Sequence, residues 1–111
     1  MAGSQRYPQT IKMPNGEYLT LYPISTVAEA VGRSVKTIRR WELAGIIPPS
    51  GFRDRNNARM YTEEQIVLIT KCAEKAKINV TRLGDTTFSK KVYEGMKKLR
   101  EEYKVRYFGG K

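Results

Sequence analysis

Histidine is absent from this 111-residue chain, and cysteine occurs once, as Cys72. Zinc sites of the finger or ribbon type need several such ligands and are excluded. The Ser-His and Cys-His nucleophile pairs go with them, as does a histidine general base. A single cysteine forms no internal disulfide, which agrees with a reducing compartment. Apolar runs are short, and none approaches the roughly 18 to 20 residues that span a bilayer. No membrane association is expected. The opening residues Met1 to Pro8 lack the apolar stretch of a signal peptide, so an intracellular, cytoplasmic location is expected. Internal repeats and low-complexity tracts are missing too.

Acidic residues are also scarce. The 11 Asp and Glu face 21 Lys and Arg, a net charge of +10. Solubility alone needs less charge on a chain this small. The excess favours a polyanionic partner: DNA, RNA or an anionic surface. With 40% hydrophobic and 29% charged residues, the chain suits one globular domain with a modest core.

The expected fold class is mainly α with a small β component. Residues 1–23 form an N-terminal arm or hairpin. Asn15-Gly16 between Thr10–Pro14 and Glu17–Tyr22 suits a type I′ turn, while Pro14 beside it leaves a loose extended arm as the alternative. Residues 24–79 contain two short helices, a wing and a third helix. Ser25 or Thr26 caps the first helix, with Glu29 completing a capping box, and Gly32 stops it. Ser34 caps the second, in which Val35, Ile38, Trp41 and Ala44 are apolar, and Gly45 ends it. Two such helices around a tight turn make a helix-turn-helix.

Ile46-Ile47 and Met60-Tyr61 flank a Gly, Asn and Arg loop and read as a two-stranded wing. Pro48 and Pro49 rule out a continued helix. Thr62 caps the third helix, with Glu63 and Glu64 in its first turn, and its apolar face fades near Lys77–Asn79. Residues 80–111 comprise a linker at 80–86 and a basic C-terminal helix. Phe88, Val92, Met96, Leu99 and Tyr103 give that helix one apolar face. This face packs back on the third helix or meets a partner. Tyr107-Phe108 is left as a frayed tail or a partner-binding hook.

Between Arg33 and Tyr61 stand Arg33, Lys36, Arg39, Arg40, Arg53, Arg55 and Arg59 against Glu42 and Asp54. A solvated surface is the ordinary explanation of such charge. Here six of the seven bases are Arg, whose planar fork pairs with phosphate and guanine edges. Ile38 and Trp41 point one way on the second helix, and Lys36, Thr37 and Arg40 another. That division is what a recognition helix presents to a major groove.

The run Ile24-Ser25-Thr26-Val27-Ala28 through Arg39-Arg40-Trp41-Glu42-Leu43-Ala44-Gly45-Ile46-Ile47-Pro48, closing with Arg59-Met60-Tyr61-Thr62-Glu63-Glu64, resembles the opening of MerR-type regulators. The likeness covers about residues 22–77 and implies a winged helix-turn-helix. Phage excisionases and phage DNA-packaging small subunits resemble the same fold, so it constrains fold more than role. The resemblance implies that Arg39 contacts backbone phosphate and that Arg59 grips the minor groove or its phosphates. It places Trp41 under the helix, as core first and DNA contact second. Tyr61 packs between wing and third helix with its hydroxyl toward phosphate, and Glu42 orients a nearby arginine. Arg40 stands where the family usually carries tyrosine. The DNA-binding set is therefore Arg33, Ser34, Lys36, Thr37, Arg39, Arg40, Trp41, Arg53, Arg55, Arg59 and Tyr61. Catalytic residues, metal ligands and cofactors are not expected.

The implied function is sequence-specific binding of double-stranded DNA by a transcription regulator or recombination accessory factor of a phage or mobile element. The alternative is the DNA-recognition subunit of an oligomeric assembly such as a phage packaging small terminase. RNA is disfavoured, because the aromatics form no stacking platform on a strand motif. One module of this size buries on the order of 600–1,000 Å² against DNA, too little for tight specific binding by a monomer. A homodimer or cooperative assembly on DNA is expected, with the C-terminal helix open to a protein partner. An effector domain of the kind that full MerR regulators carry is not expected in residues 87–108.

Overall fold

The computed structural model describes residues 8–76 and 86–109. The expected fade at Lys77–Asn79 and nearly all of the 80–86 linker lie outside them. Strands β1 (Gln9–Lys12) and β2 (Tyr18–Pro23) precede helices α1 (Ile24–Val31) and α2 (Val35–Leu43). Strands β3 (Phe52–Arg53) and β4 (Arg59–Thr62) follow, then helices α3 (Glu63–Ala76) and α4 (Thr86–Phe108). This is the mainly α winged helix-turn-helix with an N-terminal hairpin and a C-terminal helix. None of the described helices is long and apolar enough to cross a membrane.

The wing and the hairpin merge into one antiparallel sheet of order β1-β2-β4-β3. Strand β2 joins the two halves. It pairs with β1 from Tyr18 to Leu21, and its end pairs with β4, Pro23 opposite Met60. The hairpin is present, but its turn is not type I′. Gly16 alone there has positive φ, at 93°, and its amide reaches the Met13 carbonyl at 2.8 Å. Met13 in turn donates to Glu17 O at 2.7 Å. These contacts make a type I turn closed by a left-handed residue, with Pro14 at the second position, which its ring angle suits. The wing tip repeats the plan with Asp54, Asn57 and Ala58, and Asn57 takes the left-handed place at φ 67°. There the Asp54 carboxylate accepts the amides of Asn56 and Ala58, each at 2.8 Å.

Helix α1 differs at its start. Pro23 occupies the N-cap with no side-chain cap bond, and both Ser25 and Thr26 lie inside the helix. Pairing of β2 with β4 persists to Pro23, so the chain enters the helix with no residue spare for a polar cap. Helix α2 begins as expected, its Thr37 amide donating to Ser34 Oγ at 3.1 Å. It ends in a Schellman arrangement, Gly45 N to Glu42 O at 3.1 Å and Ile46 N to Trp41 O at 2.8 Å. That turn drives Ile46 and Ile47 into the core instead of onto a strand. The first wing strand is β3, further along.

Thr62 both closes β4 and caps α3. Its hydroxyl accepts the Gln65 amide at 3.1 Å, and Gln65 Oε1 accepts the Thr62 amide at 3.0 Å. This is a full capping box, of which the sequence reading saw only the first half.

Helix α4 folds back onto α3 and spans two apolar clusters. Phe88, Val92 and Met96 enter the main core with Val27, Ile38, Trp41, Ile47, Tyr61 and Ile69. Tyr103 and Tyr107 join Met13 beneath the sheet, with Leu19, Phe52 and Leu99 packed around them. Tyr107 is therefore packed, neither frayed nor free as a hook, while Phe108 is exposed. The hairpin tip clasps the same end: Asn15 Nδ2 donates to Arg106 O at 2.7 Å and Arg106 Nε to Glu17 Oε1 at 3.0 Å.

Candidate nucleic-acid interface

Burial divides the expected residues into those that face out and those that hold them in place. Ile38 and Trp41 turn α2 inward. At 3.6 residues per turn, its outward face must then carry Lys36, Arg39, Arg40 and Leu43, and all four are exposed. Thr37 is not part of that face. It is half-buried, and its hydroxyl lies 3.0 Å from Ser34 Oγ. Ser34 spends its side chain on the helix cap. Arg33 is half-buried in the turn after Gly32, where its amide donates to Ala28 O at 2.9 Å.

Trp41 and Tyr61 are both 0% exposed. They have no surface to offer a ligand in this conformation, which corrects their inclusion among the contact residues. Trp41 serves the interface by fixing the rotation of α2, and Tyr61 by packing the wing onto the core.

The wing supplies the second wall. Arg55 is exposed at its tip, and Arg53 Nη1 donates to Asn57 O at 3.1 Å, holding its guanidinium along the turn. Arg59 is tied to α2 by an ion pair, its Nε 2.5 Å from Glu42 Oε2. The Glu42 side chain is only 5% exposed, whereas that of Arg59 is 38% exposed. Burial pushes the Glu42 carboxyl above its ordinary value, and the charges of Arg59 and then Arg53 pull the other way. Burial also raises the Tyr61 phenol, with the Glu42 charge adding to it. A buried carboxylate thus ties α2 to the wing. Between them runs a groove with Arg39, Glu42 and Leu43 on one side and Asn56, Asn57 and Arg59 on the other.

The model of the MerR HTH family regulatory proteins matches residues 22–81 of this chain, more than half of it. The chain belongs to the MerR family. Family membership makes it a regulatory helix-turn-helix protein, not an enzyme. None of the curated proteins matches it. Among solved structures, the chain matches the crystal structure of HiNmlR, a MerR family regulator lacking the sensor domain, bound to promoter DNA. It is 17% identical, with a TM-score of 0.42 over 80% of this chain and 86% of that one.

In this MerR-family chain the sequence reading overlooked Leu43, which is 84% exposed on the outer face of α2. The signal was available, since Leu43 follows Lys36 and Arg40 at helical steps of four and three. It also passed over Asn56 and Asn57, which form the wing tip beside Arg55. Asparagine in such a loop reads first as turn chemistry, and Asn57 does perform that role.

Proposed function

We propose that this protein is a transcription regulator that binds double-stranded DNA through α2 in the major groove and the β3–β4 wing alongside it. The observation that carries the reading is the placement of Lys36, Arg39 and Arg40 on one exposed face of α2, with Arg59 across the groove from Arg39 and with Arg53 and Arg55 on the same wing. Two independent elements carry these cations, and the Glu42–Arg59 pair ties one to the other. Arg39 and Arg59 bind phosphate, and Lys36 and Arg40 reach base edges. Arg53 and Arg55 extend the phosphate contacts at the wing. Ser34 and Thr37 order the first turn of α2, and Arg33 lies at its entry.

Phosphate contacts release counterions and supply sequence-independent affinity, while base contacts supply discrimination. One such module has limited area, so two copies, or cooperative copies along DNA, complete a tight site. The finer roles raised by the sequence, a recombination accessory factor of a phage or a packaging subunit, gain no support from the fold or the family match.

The test is selection of bound fragments from random-sequence DNA at moderate salt, with Arg39→Ala/Arg40→Ala protein as control. A shared motif recovered with the wild type and lost with the control supports the reading. Retention without a motif, or equal retention by the control, overturns the assignment of α2.

A further inference from the structure

We infer that Leu43 is a specificity-determining residue whose side chain packs against the C5-methyl group of a thymine in the major groove. The inference rests on the DNA-binding reading above. Leu43 is the most exposed large hydrophobic residue among the described residues, at 84%. A lone exposed leucine is ordinary on a protein surface. Its position makes this one unusual. It continues the stripe of Lys36 and Arg40 on the outer face of α2, and it lines the groove that runs toward the wing, beside Arg39 and Glu42.

It is also the last residue of α2, where the helix dipole favours a cation. On a face otherwise given to Lys and Arg, a leucine forgoes that stabilisation and leaves its apolar surface in water. Contact with an apolar group on a ligand recovers the loss. In the major groove the base edges offer one such group, the thymine methyl. The reach is suitable. Lys36 and Leu43 are seven residues apart, about two helical turns, so they stand on one face of α2 and can meet the same groove floor.

The test uses the motif selected by the wild-type protein. Each thymine in it is replaced singly by deoxyuridine, which lacks only the methyl group, and affinity is measured for wild-type and Leu43→Ala proteins. At one position the replacement should weaken wild-type binding about fourfold, the weight of one buried methyl group. The same replacement should leave Leu43→Ala binding unchanged. The inference is overturned if no thymine position matters, or if both proteins lose affinity equally. It is overturned too if Leu43→Ala keeps full affinity and instead lowers the sedimenting mass, which would show that a second copy covers Leu43. A wild-type protein that selects no motif removes the DNA-binding reading and this inference together, and so is told apart from the preceding results.

Discussion

The ring of Trp41 on α2 meets that of Phe88 on α4 edge to face, with centroids 5.2 Å apart and planes at 61°. Both side chains are fully buried. The helix that carries the candidate interface is therefore seated on the first turn of the C-terminal helix, as well as on α1. Phe88→Ala should cost about 3–5 kcal/mol, as expected for an aromatic ring removed from a closed core. Trp41 is the only tryptophan, so its fluorescence reports this contact directly. Chemical denaturation followed by that signal should show a lower midpoint and a red-shifted native spectrum. An unchanged midpoint would mean that α4 does not hold α2 in solution.

Counterion release gives the cationic face a quantitative signature. Each phosphate contact contributes about 0.9 to the slope of log affinity against log salt. Arg39→Ala should lower affinity across all sequences and reduce that slope by about one. Arg40→Ala, which the proposed reading places at a base edge, should lose about 1–3 kcal/mol of discrimination at one position of the motif. Titrations of a specific and a scrambled duplex at several salt concentrations separate the two. Identical behaviour of the two variants would refute the division of labour between them.

The Glu42–Arg59 pair predicts an asymmetry between its two partners. Arg59→Ala strands a carboxylate that is 5% exposed and should cost about 2 kcal/mol at pH 7. Glu42→Gln removes the buried charge and should cost less, while loosening the wing and weakening DNA binding. The pH dependence follows from the direction of the Glu42 shift. Its folded-state value lies above the ordinary 4.5, so the folded chain holds this proton more tightly than the unfolded chain does. Stability contributed by this group therefore falls as pH rises through the window just above 4.5. Loss of Arg59, which pulls the value down, widens that window. The Arg59→Ala penalty should shrink between pH 7 and pH 5, and denaturation at both values checks it. A penalty independent of pH would show that Glu42 is not the stranded group.

A relay of hydrogen bonds links the cap of α3 to α4. Gln65 N donates to Thr62 Oγ, which lies 2.7 Å from the Tyr103 hydroxyl, and Tyr103 donates to Glu64 Oε1 at 2.7 Å. Tyr103→Phe should cost about 1–2 kcal/mol by leaving Thr62 and Glu64 short of a partner. Burial, then the Glu64 contact, raises the Tyr103 phenol above its ordinary value of 10.0. A raised folded-state value means that the contribution is intact below pH 10 and is lost as pH climbs beyond it. Wild-type stability should therefore decline above pH 10, and more steeply than that of Tyr103→Phe. Parallel declines in the two proteins would place the alkaline sensitivity elsewhere.

Much of this architecture was legible because it is written locally. Ser34, Ile38, Trp41 and Gly45 define α2 within one short stretch, and the periodic residues of α4 announce a single buried face. Other features depend on partners distant in sequence. The start of α1 is set by strand pairing between Pro23 and Met60, which a Ser-Thr-Val-Ala-Glu run cannot reveal. Ile46 and Ile47 form a short apolar pair that suits a strand or a core turn equally, and the Schellman end of α2 decides between them. Tyr107 extends the α4 face by one more step of four, but its basic surroundings disguised it. It is buried only because Met13 and the hairpin reach that end. Of the candidate interface, the basic residues were readable by type. The packing of Tyr61 was legible and only its complete burial belongs to the tertiary fold, whereas the outward place of Leu43 was within reach of the α2 periodicity.

Gly95 illustrates a contact that composition hides and two opposing terms decide. A Cβ added there would stand 2.6 Å from both δ-carbons of Leu68 and 3.1 Å from its Cγ. Helix α4 gains about 1 kcal/mol of propensity from Gly95→Ala, whereas overpacking costs about 1–3 kcal/mol. Leu68 is half-buried, so part of its side chain can move. Swinging its tip about the last torsion does not suffice, because both methyl groups and the carbon that bears them are close. The crowding term should win, and Gly95→Ala should be destabilised by about 1 kcal/mol. Truncating the obstacle reverses the sign: Gly95→Ala/Leu68→Ala should be more stable than Leu68→Ala alone, since the propensity gain then acts unopposed. A double-mutant cycle by urea denaturation measures that coupling. If Gly95→Ala is stabilising in the wild-type background, Leu68 turns outward at little cost, and α3 and α4 are not locked at this crossing.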